Sequence, residues 1–253
     1  MKKVILITGA TSGIGEATAI RLAKEGYQLI LCGRRIDKLM SLEKDLSKYT
    51  KIKTLSFDIR FLNEVFSKIN SLPESWRKID ILINNAGNAH GLSPVQDGLT
   101  EDWDTMTDTN IKGILYVTKA IIPHMIEQKS GHIINISSIA GKETYRNGTV
   151  YCASKKAVEA LSEGMRIDLI EHDIKVSNIA PGAVETNFSM IRFKGNVKKS
   201  KKVYQGYNPL LPDDISDLIL YIIKAPKRVN IADILILPSS QSSSSNIFKK
   251  NIR

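Results

Sequence analysis

The chain has 253 residues, with 36 lysines and arginines against 26 aspartates and glutamates, a formal charge of +10. That length suits one α/β domain with a substantial core. No apolar run is long enough to span a bilayer, Cys32 and Cys152 fit neither a disulfide framework nor a zinc site, and the four histidines lack metal-ligand spacing, so no metal is expected. The first residues lack the apolar length and cleavage site of a signal peptide, which predicts a cytoplasmic protein with no membrane partner. Basic residues concentrate between Arg192 and Lys202 and again at Lys249, Lys250 and Arg253. Without interleaved aromatics or a recognisable module they argue against nucleic-acid binding, and favour anionic small molecules.

Residues 3–8 form a β-branched run without polar alternation, as expected of a strand buried on both faces. It runs into Gly9-Ala10-Thr11-Ser12-Gly13-Ile14-Gly15 and then a helix closed by Gly26. Strand, glycine turn and helix are the context of a phosphate-binding loop. The glycines let the backbone approach a pyrophosphate, and the helix N-terminus offers free N–H groups. Residues 27–32 are a second strand, ending at Gly33-Arg34-Arg35. A carboxylate here would suit NAD, whereas arginine accommodates the 2′-phosphate of NADP. Arg34 and Arg35 therefore favour NADP, with Asp37 expected to cap the next helix. Residues 53–59 give a third strand, where Asp58 either meets an adenine amino group or is a turn aspartate. A helix over about 61–70 and a fourth strand at 79–83 lead to Asn84-Asn85-Ala86-Gly87, against which ribose and adenine could pack.

Residues 101–128 read as helical, with an apolar face and Asn110 inside it. A mid-helix asparagine needs a specific partner, unless it marks a capped join between two helices. The strand at 131–138 ends in Ser137 and Ser138, at the edge where open parallel sheets bind ligands. A helix opening near Thr149 carries Tyr151 and Lys155 one turn apart on one face. A neighbouring ammonium is expected to pull the phenol below its usual pKa of about 10, fitting Tyr151 for proton exchange in an alcohol–carbonyl interconversion. The strand at 174–179 precedes Ala180-Pro181-Gly182-Ala183-Val184-Glu185-Thr186, and the polar, basic stretch 187–208 is expected to form a lid over a substrate. A short helix opens at Pro212, and 234–237 is the last strand. About seven strands alternating with helices predict one doubly wound parallel sheet. Residues 1–238 are expected to form a single dinucleotide-binding and catalytic domain, and 239–253 a serine-rich basic tail without an enzymatic role.

In order, Thr8-Gly9-x-x-x-Gly13-Ile14-Gly15, Asn84-Asn85-Ala86-Gly87, Asn110, Ser138, Tyr151-x-x-x-Lys155 and Pro181-Gly182 resemble the short-chain dehydrogenase/reductase family over nearly the whole chain. More narrowly, Leu72-Pro73-x-x-Trp76, Glu101-Asp102-Trp103-Asp104-Thr105-Met106 and Arg192-Phe193-Lys194-Gly195 are similar to its NADP-dependent 3-hydroxy acid dehydrogenase group, which includes enzymes acting on serine and allo-threonine. The resemblance implies a Rossmann fold in which Tyr151 is the acid/base and Lys155 lowers its pKa and binds the nicotinamide ribose. Ser138 would bond the substrate oxygen, and Asn110 would hold a water relaying protons from Lys155. Gly9, Ser12, Gly13, Ile14 and Gly15 would wrap the pyrophosphate, and Arg34 and Arg35 the 2′-phosphate. Asp58, Ile59, Asn85, Ala86 and Gly87 would line the adenosine half, and Pro181, Gly182, Val184 and Thr186 would frame the nicotinamide. Arg192 either grips the carboxylate of a small hydroxy-acid substrate or is a solvated lid arginine. The family also implies a homotetramer or homodimer. Two other activities fit the same residues: reduction of a 3-oxoacyl group on an acidic carrier protein, with the basic lid as docking surface, and a catalytically silent nucleotide sensor or scaffold.

Overall fold

The computed structural model describes residues 2–249. Its first strand, β1 (Val4–Thr8), is buried along its whole length and feeds α1 (Gly13–Lys24), β2 (Gln28–Gly33), α2 (Ile36–Leu46) and β3 (Ile52–Ser56). Then come α3 (Leu62–Asn70), α4 (Glu74–Arg77), β4 (Ile81–Asn84), α5 (Thr100–Thr107), α6 (Ile114–Glu127), β5 (Gly131–Ile136) and α7 (Ile139–Lys142). The remainder is α8 (Thr149–Asp168), β6 (Ile174–Pro181), α9 (Phe188–Arg192), α10 (Val197–Val203), α11 (Pro212–Lys224) and β7 (Asp233–Ile236). The seven strands pair in parallel in the order β3-β2-β1-β4-β5-β6-β7.

Alternate side chains of each inner strand enter opposite halves of the core. Val4 and Leu6 meet Ile30, Leu82 and Ile133 beneath Val65, Val117 and Val158 of α3, α6 and α8. Ile5 and Ile7 meet Leu29, Leu31 and Ile83 beneath Leu22, Leu39 and Ile219 of α1, α2 and α11. Helices on both faces account for the uninterrupted apolar runs of β1 and β4, where every strand position is buried. The order reverses between β1 and β4, so the crevice beyond their carboxyl ends is the switch point where such sheets take ligands.

Two local features depart from the sequence expectations. Arg35, not Asp37, stands at the cap position of α2, and Asp37 sits within its first turn, where its charge complements the helix dipole without capping. The helical stretch around Asn110 is neither one regular helix nor a capped join, because a π-helical turn at Asp108–Gly113 links α5 to α6. Within the serine-rich stretch, Gln241 is buried and bridges Ile247. Lys250 and Arg253 lie outside the described residues. Among the described residues no helix is long and apolar enough to cross a membrane.

Candidate active site

A cleft of about 890 Å³ opens at the switch point. Its floor is the turn after β1. Gly9 has φ +65, and a Cβ there would lie 2.9 Å from the Ala86 Cα, so the loop needs glycine both for its backbone angle and for its approach to the end of β4. A Cβ on Gly15 would run into the Gly9 carbonyl. Asn85 Nδ2 donates to the Thr8 and Gly9 carbonyls at 3.0 and 3.2 Å, and Thr8 Oγ1 accepts from the Asn85 and Ala86 N–H groups, which fixes the two loops together. Ser12 occupies the cap of α1 without a side-chain cap bond, leaving first-turn N–H groups available to an anion.

The two arginines after β2 have different jobs. Arg35 donates to the Thr11 carbonyl at 3.0 Å, to Thr11 Oγ1 at 2.8 Å and to Ser12 Oγ at 2.9 Å, clamping the glycine loop. Arg34 is 67% exposed, with an Asp58 carboxylate oxygen 3.6 Å away as its partner. Burial raises the Asp58 pKa, but hydrogen bonds from Arg60 outweigh it and hold the carboxyl below the usual range. An adenine amino group would therefore share Asp58 with Arg60.

Tyr151 and Lys155 stand in the first turns of α8, both buried and both lining the cleft. Lys155 Nζ donates to the Ile136 carbonyl at 2.9 Å, which anchors it to the end of β5. Burial brings its pKa down to about 8, while the charge of Glu159, one turn further on, holds it up. Glu159 is itself bound by Lys142 and by Asn178 Nδ2. The expected lowering of the Tyr151 pKa is not what the structure gives. Burial raises it and Tyr145 adds to the rise, whereas hydrogen bonding to Ser138 and the charge of Arg192 oppose it. Dehydration of a phenolate here outweighs the Ser138 hydrogen bond and the Arg192 charge. Ser138 caps α7, accepting from the Ala140 N–H at 3.1 Å.

Of the residues expected at the site, all line the cleft except Gly15 and Asn110. Gly15 lies under the loop it shapes. Asn110 is fully buried in the π-helical turn, its Oδ1 accepting from the Asn88 N–H at 2.9 Å and its Nδ2 donating to the Asn88 carbonyl at 2.8 Å and to Ser154 Oγ at 3.0 Å. It thus ties the loop after β4 to α8. Asn110 Oδ1 and Lys155 Nζ flank Gly87, where a Cβ would lie 3.3 Å from each.

Arg192, at the end of α9, turns inward. Its guanidinium lies 5.4 Å from the ring centroids of both Tyr145 and Tyr151, its Nε donates to the Gly91 carbonyl at 3.2 Å, and its Nη2 is buried without a partner. That is not a solvated lid arginine. Three residues absent from the sequence expectations also belong here. Tyr145 supports Arg192, Glu159 modulates Lys155, and Gln241 braces the turn after β6, its Oε1 accepting from the Ala183 N–H at 2.9 Å while it fills the space beside Gly182. Gln241→Ala is expected to lower the thermal midpoint by about 2–4 °C, as loss of one buried hydrogen bond predicts, and differential scanning fluorimetry will read it.

The short chain dehydrogenase family model matches residues 3–196. The chain belongs to the short-chain dehydrogenase family. Within that family it is 41% identical over 240 residues to the NADP-dependent 3-hydroxy acid dehydrogenase YdfG of Salmonella typhi, covering 94% of this chain and 96% of that one. It is 40% identical over 243 residues to sulfoacetaldehyde reductase 2 of Chromohalobacter salexigens, covering 96% of each. A solved structure of the closed form of serine dehydrogenase complexed with NADP+ superposes with a TM-score of 0.92 at 40% identity, covering 98% of this chain and all of that one. As a short-chain dehydrogenase, the chain presents Tyr151, Lys155 and Ser138 on the wall of one cleft, at the carboxyl edge of its sheet.

Proposed function

We propose that this short-chain dehydrogenase is an NADP-dependent oxidoreductase acting on small 3-hydroxy acids or β-hydroxy amino acids, with Ser138, Tyr151, Lys155 and Asn110 as its catalytic residues. One observation carries the substrate class: the buried, unpaired Nη2 of Arg192 stands beside Tyr151, so an anion grip and a proton donor adjoin. A molecule with a carboxylate and a hydroxyl a few bonds apart satisfies both. The relatives support this, since by name they act on 3-hydroxy acids, on serine and on a small sulfonated aldehyde.

The residues present fit NADP. Gly9 and Gly15 leave no room for a side chain, the first turn of α1 is uncapped by Ser12, and Arg34 stands exposed where a 2′-phosphate would lie. When bound, NADP supplies a nicotinamide that accepts or donates a hydride. In reduction Tyr151 gives its proton to the carbonyl oxygen, and its raised pKa keeps it protonated for this at neutral pH; in oxidation it first releases that proton through the relay and then takes the substrate's hydroxyl proton. Ser138 hydrogen-bonds the same oxygen as charge develops on it. Charged Lys155 stabilises the transient phenolate. The proton relay runs past Gly87, between Lys155 Nζ and Asn110 Oδ1. A homotetramer or homodimer in the cytoplasm completes the proposal, supported by the exposed apolar Leu115 and Ile167 of α6 and α8.

Two expectations follow at the cofactor and at Lys155. Arg34→Ala should lower kcat/KM for NADP+ by roughly tenfold or more, the loss of a charge-assisted bond, and leave NAD+ little changed. Reduction should decline as pH rises through about 8, where Lys155 loses its charge. Glu159→Gln removes the carboxylate that holds the Lys155 pKa up, so that decline should move to lower pH, with about fivefold less activity at pH 8 if it moves by about one pH unit. A pH–rate profile of the two proteins checks it. The activity itself is tested by following cofactor absorbance with NADP+ and NAD+ against serine, allo-threonine and 3-hydroxypropionate, and with NADPH against a carrier-bound 3-oxoacyl thioester. NADP+ with the free acids is the expected pair. Preference for NAD+, or turnover of the carrier-bound thioester alone, would overturn the proposal.

A further inference from the structure

A second chamber of about 450 Å³ adjoins the cleft and shares Tyr151 and Arg192 with it. One part of its wall is apolar, made by Leu92, Val95, Leu99, Trp103, Met106 and Val150, and the rest is polar, with Ser93, Asn147, Thr149 and Asn196. Val95 and Leu99 are 55% and 54% exposed although they border a site. The charged groups of the chamber are Lys194, paired with Asp102 at 2.9 Å, together with Arg192 and Lys199, while burial lowers the pKa of His90 and favours its neutral form.

A three-carbon hydroxy acid spans Arg192 and Tyr151 and has nothing left to fill this space. With its carboxylate on Arg192 and its hydroxyl at Tyr151, a substituent on the hydroxyl-bearing carbon would have the apolar wall of the chamber, which borders both residues, to pack on. We propose that the chamber is a subsite for an uncharged alkyl substituent on C3, so that this enzyme prefers medium-chain 3-hydroxy acids to serine-sized ones. The inference rests on the hydroxy-acid activity proposed above. The chemistry is unchanged: the C3–H leaves as hydride to NADP+, the hydroxyl proton passes to Tyr151 once that phenol has released its own through the relay, and a 3-oxo acid is formed.

The test compares 3-hydroxypropionate, 3-hydroxybutyrate and 3-hydroxyhexanoate with NADP+. Burial of each added methylene is expected to raise kcat/KM by roughly fourfold. Leu99→Asp puts a carboxylate into the chamber at the cap position of α5, where aspartate is well tolerated, and should cut the hexanoate-to-propionate ratio by about tenfold. A second readout needs no turnover. Trp103 lines the chamber, so in a Trp76→Phe background its emission should report binding of butyrate and hexanoate to the NADP+-loaded enzyme. Those acids lack the hydroxyl and cannot react, and hexanoate should bind more tightly by about the same factor per methylene. Oxidation of 3-hydroxypropionate with a flat or falling chain-length series would overturn the subsite alone. Oxidation of none of these acids would overturn it together with the substrate class on which it depends.

Discussion

Tyr151→Phe is expected to lower kcat by about 10²–10⁴-fold while leaving NADPH affinity nearly unchanged, because the substitution removes the proton donor and little else. The ring would still pack on Phe188, whose centroid is 5.6 Å away, and would still lie under the Arg192 guanidinium. Ser138 would keep its bond from the Ala140 N–H. Fluorescence titration with NADPH and steady-state turnover, measured on one preparation, separate the two effects. Turnover close to wild type would mean that another group supplies the proton. Loss of binding together with turnover would mean that the phenol is a structural member of the cofactor cleft.

Arg192→Gln is expected to lower kcat/KM for 3-hydroxypropionate by about 10–150-fold, the range for losing a charge-assisted bond to a carboxylate. The loss should fall mainly on KM, since the grip acts equally before and during reaction. An uncharged alcohol of the same length should be affected far less. The bond from the Gly91 N–H to the Arg192 carbonyl, 3.0 Å, is made by the backbone and survives the substitution, so α9 stays in place. Equal losses for the acid and the alcohol would assign Arg192 to shaping the lid rather than to binding an anion.

The sheet was legible because burial on both faces writes strands such as β1 as unbroken apolar runs, and because a glycine turn between strand and helix has few other uses. Tyr151 and Lys155 were legible from helical spacing, yet spacing misjudged their electrostatics. It places an ammonium near a phenol but does not show that the ammonium is held by the Ile136 carbonyl, or that the pocket is dry enough for burial to dominate. Arg34 and Arg35 look equivalent in sequence; only the fold brings Thr11 under one of them. The π-helical turn leaves no mark on apolar periodicity, and its single clue was a buried asparagine in need of partners. Glu159 could have been found, since it repeats the spacing that links Tyr151 to Lys155. Gln241 offered less, a lone amide among serines whose partner lies 58 residues away in sequence.

The central claim is that one cleft holds NADP and a carboxylate so that Tyr151 and Arg192 act on the same small molecule. A crystal structure of the enzyme with NADP+ and an unreactive short carboxylate tests it most directly. The expected result is the carboxylate bonded to Arg192 Nη2, its chain passing Tyr151 and Ser138 beside the nicotinamide, and the 2′-phosphate against Arg34. A carboxylate bound away from Arg192, or a nicotinamide out of reach of Tyr151, would contradict the account.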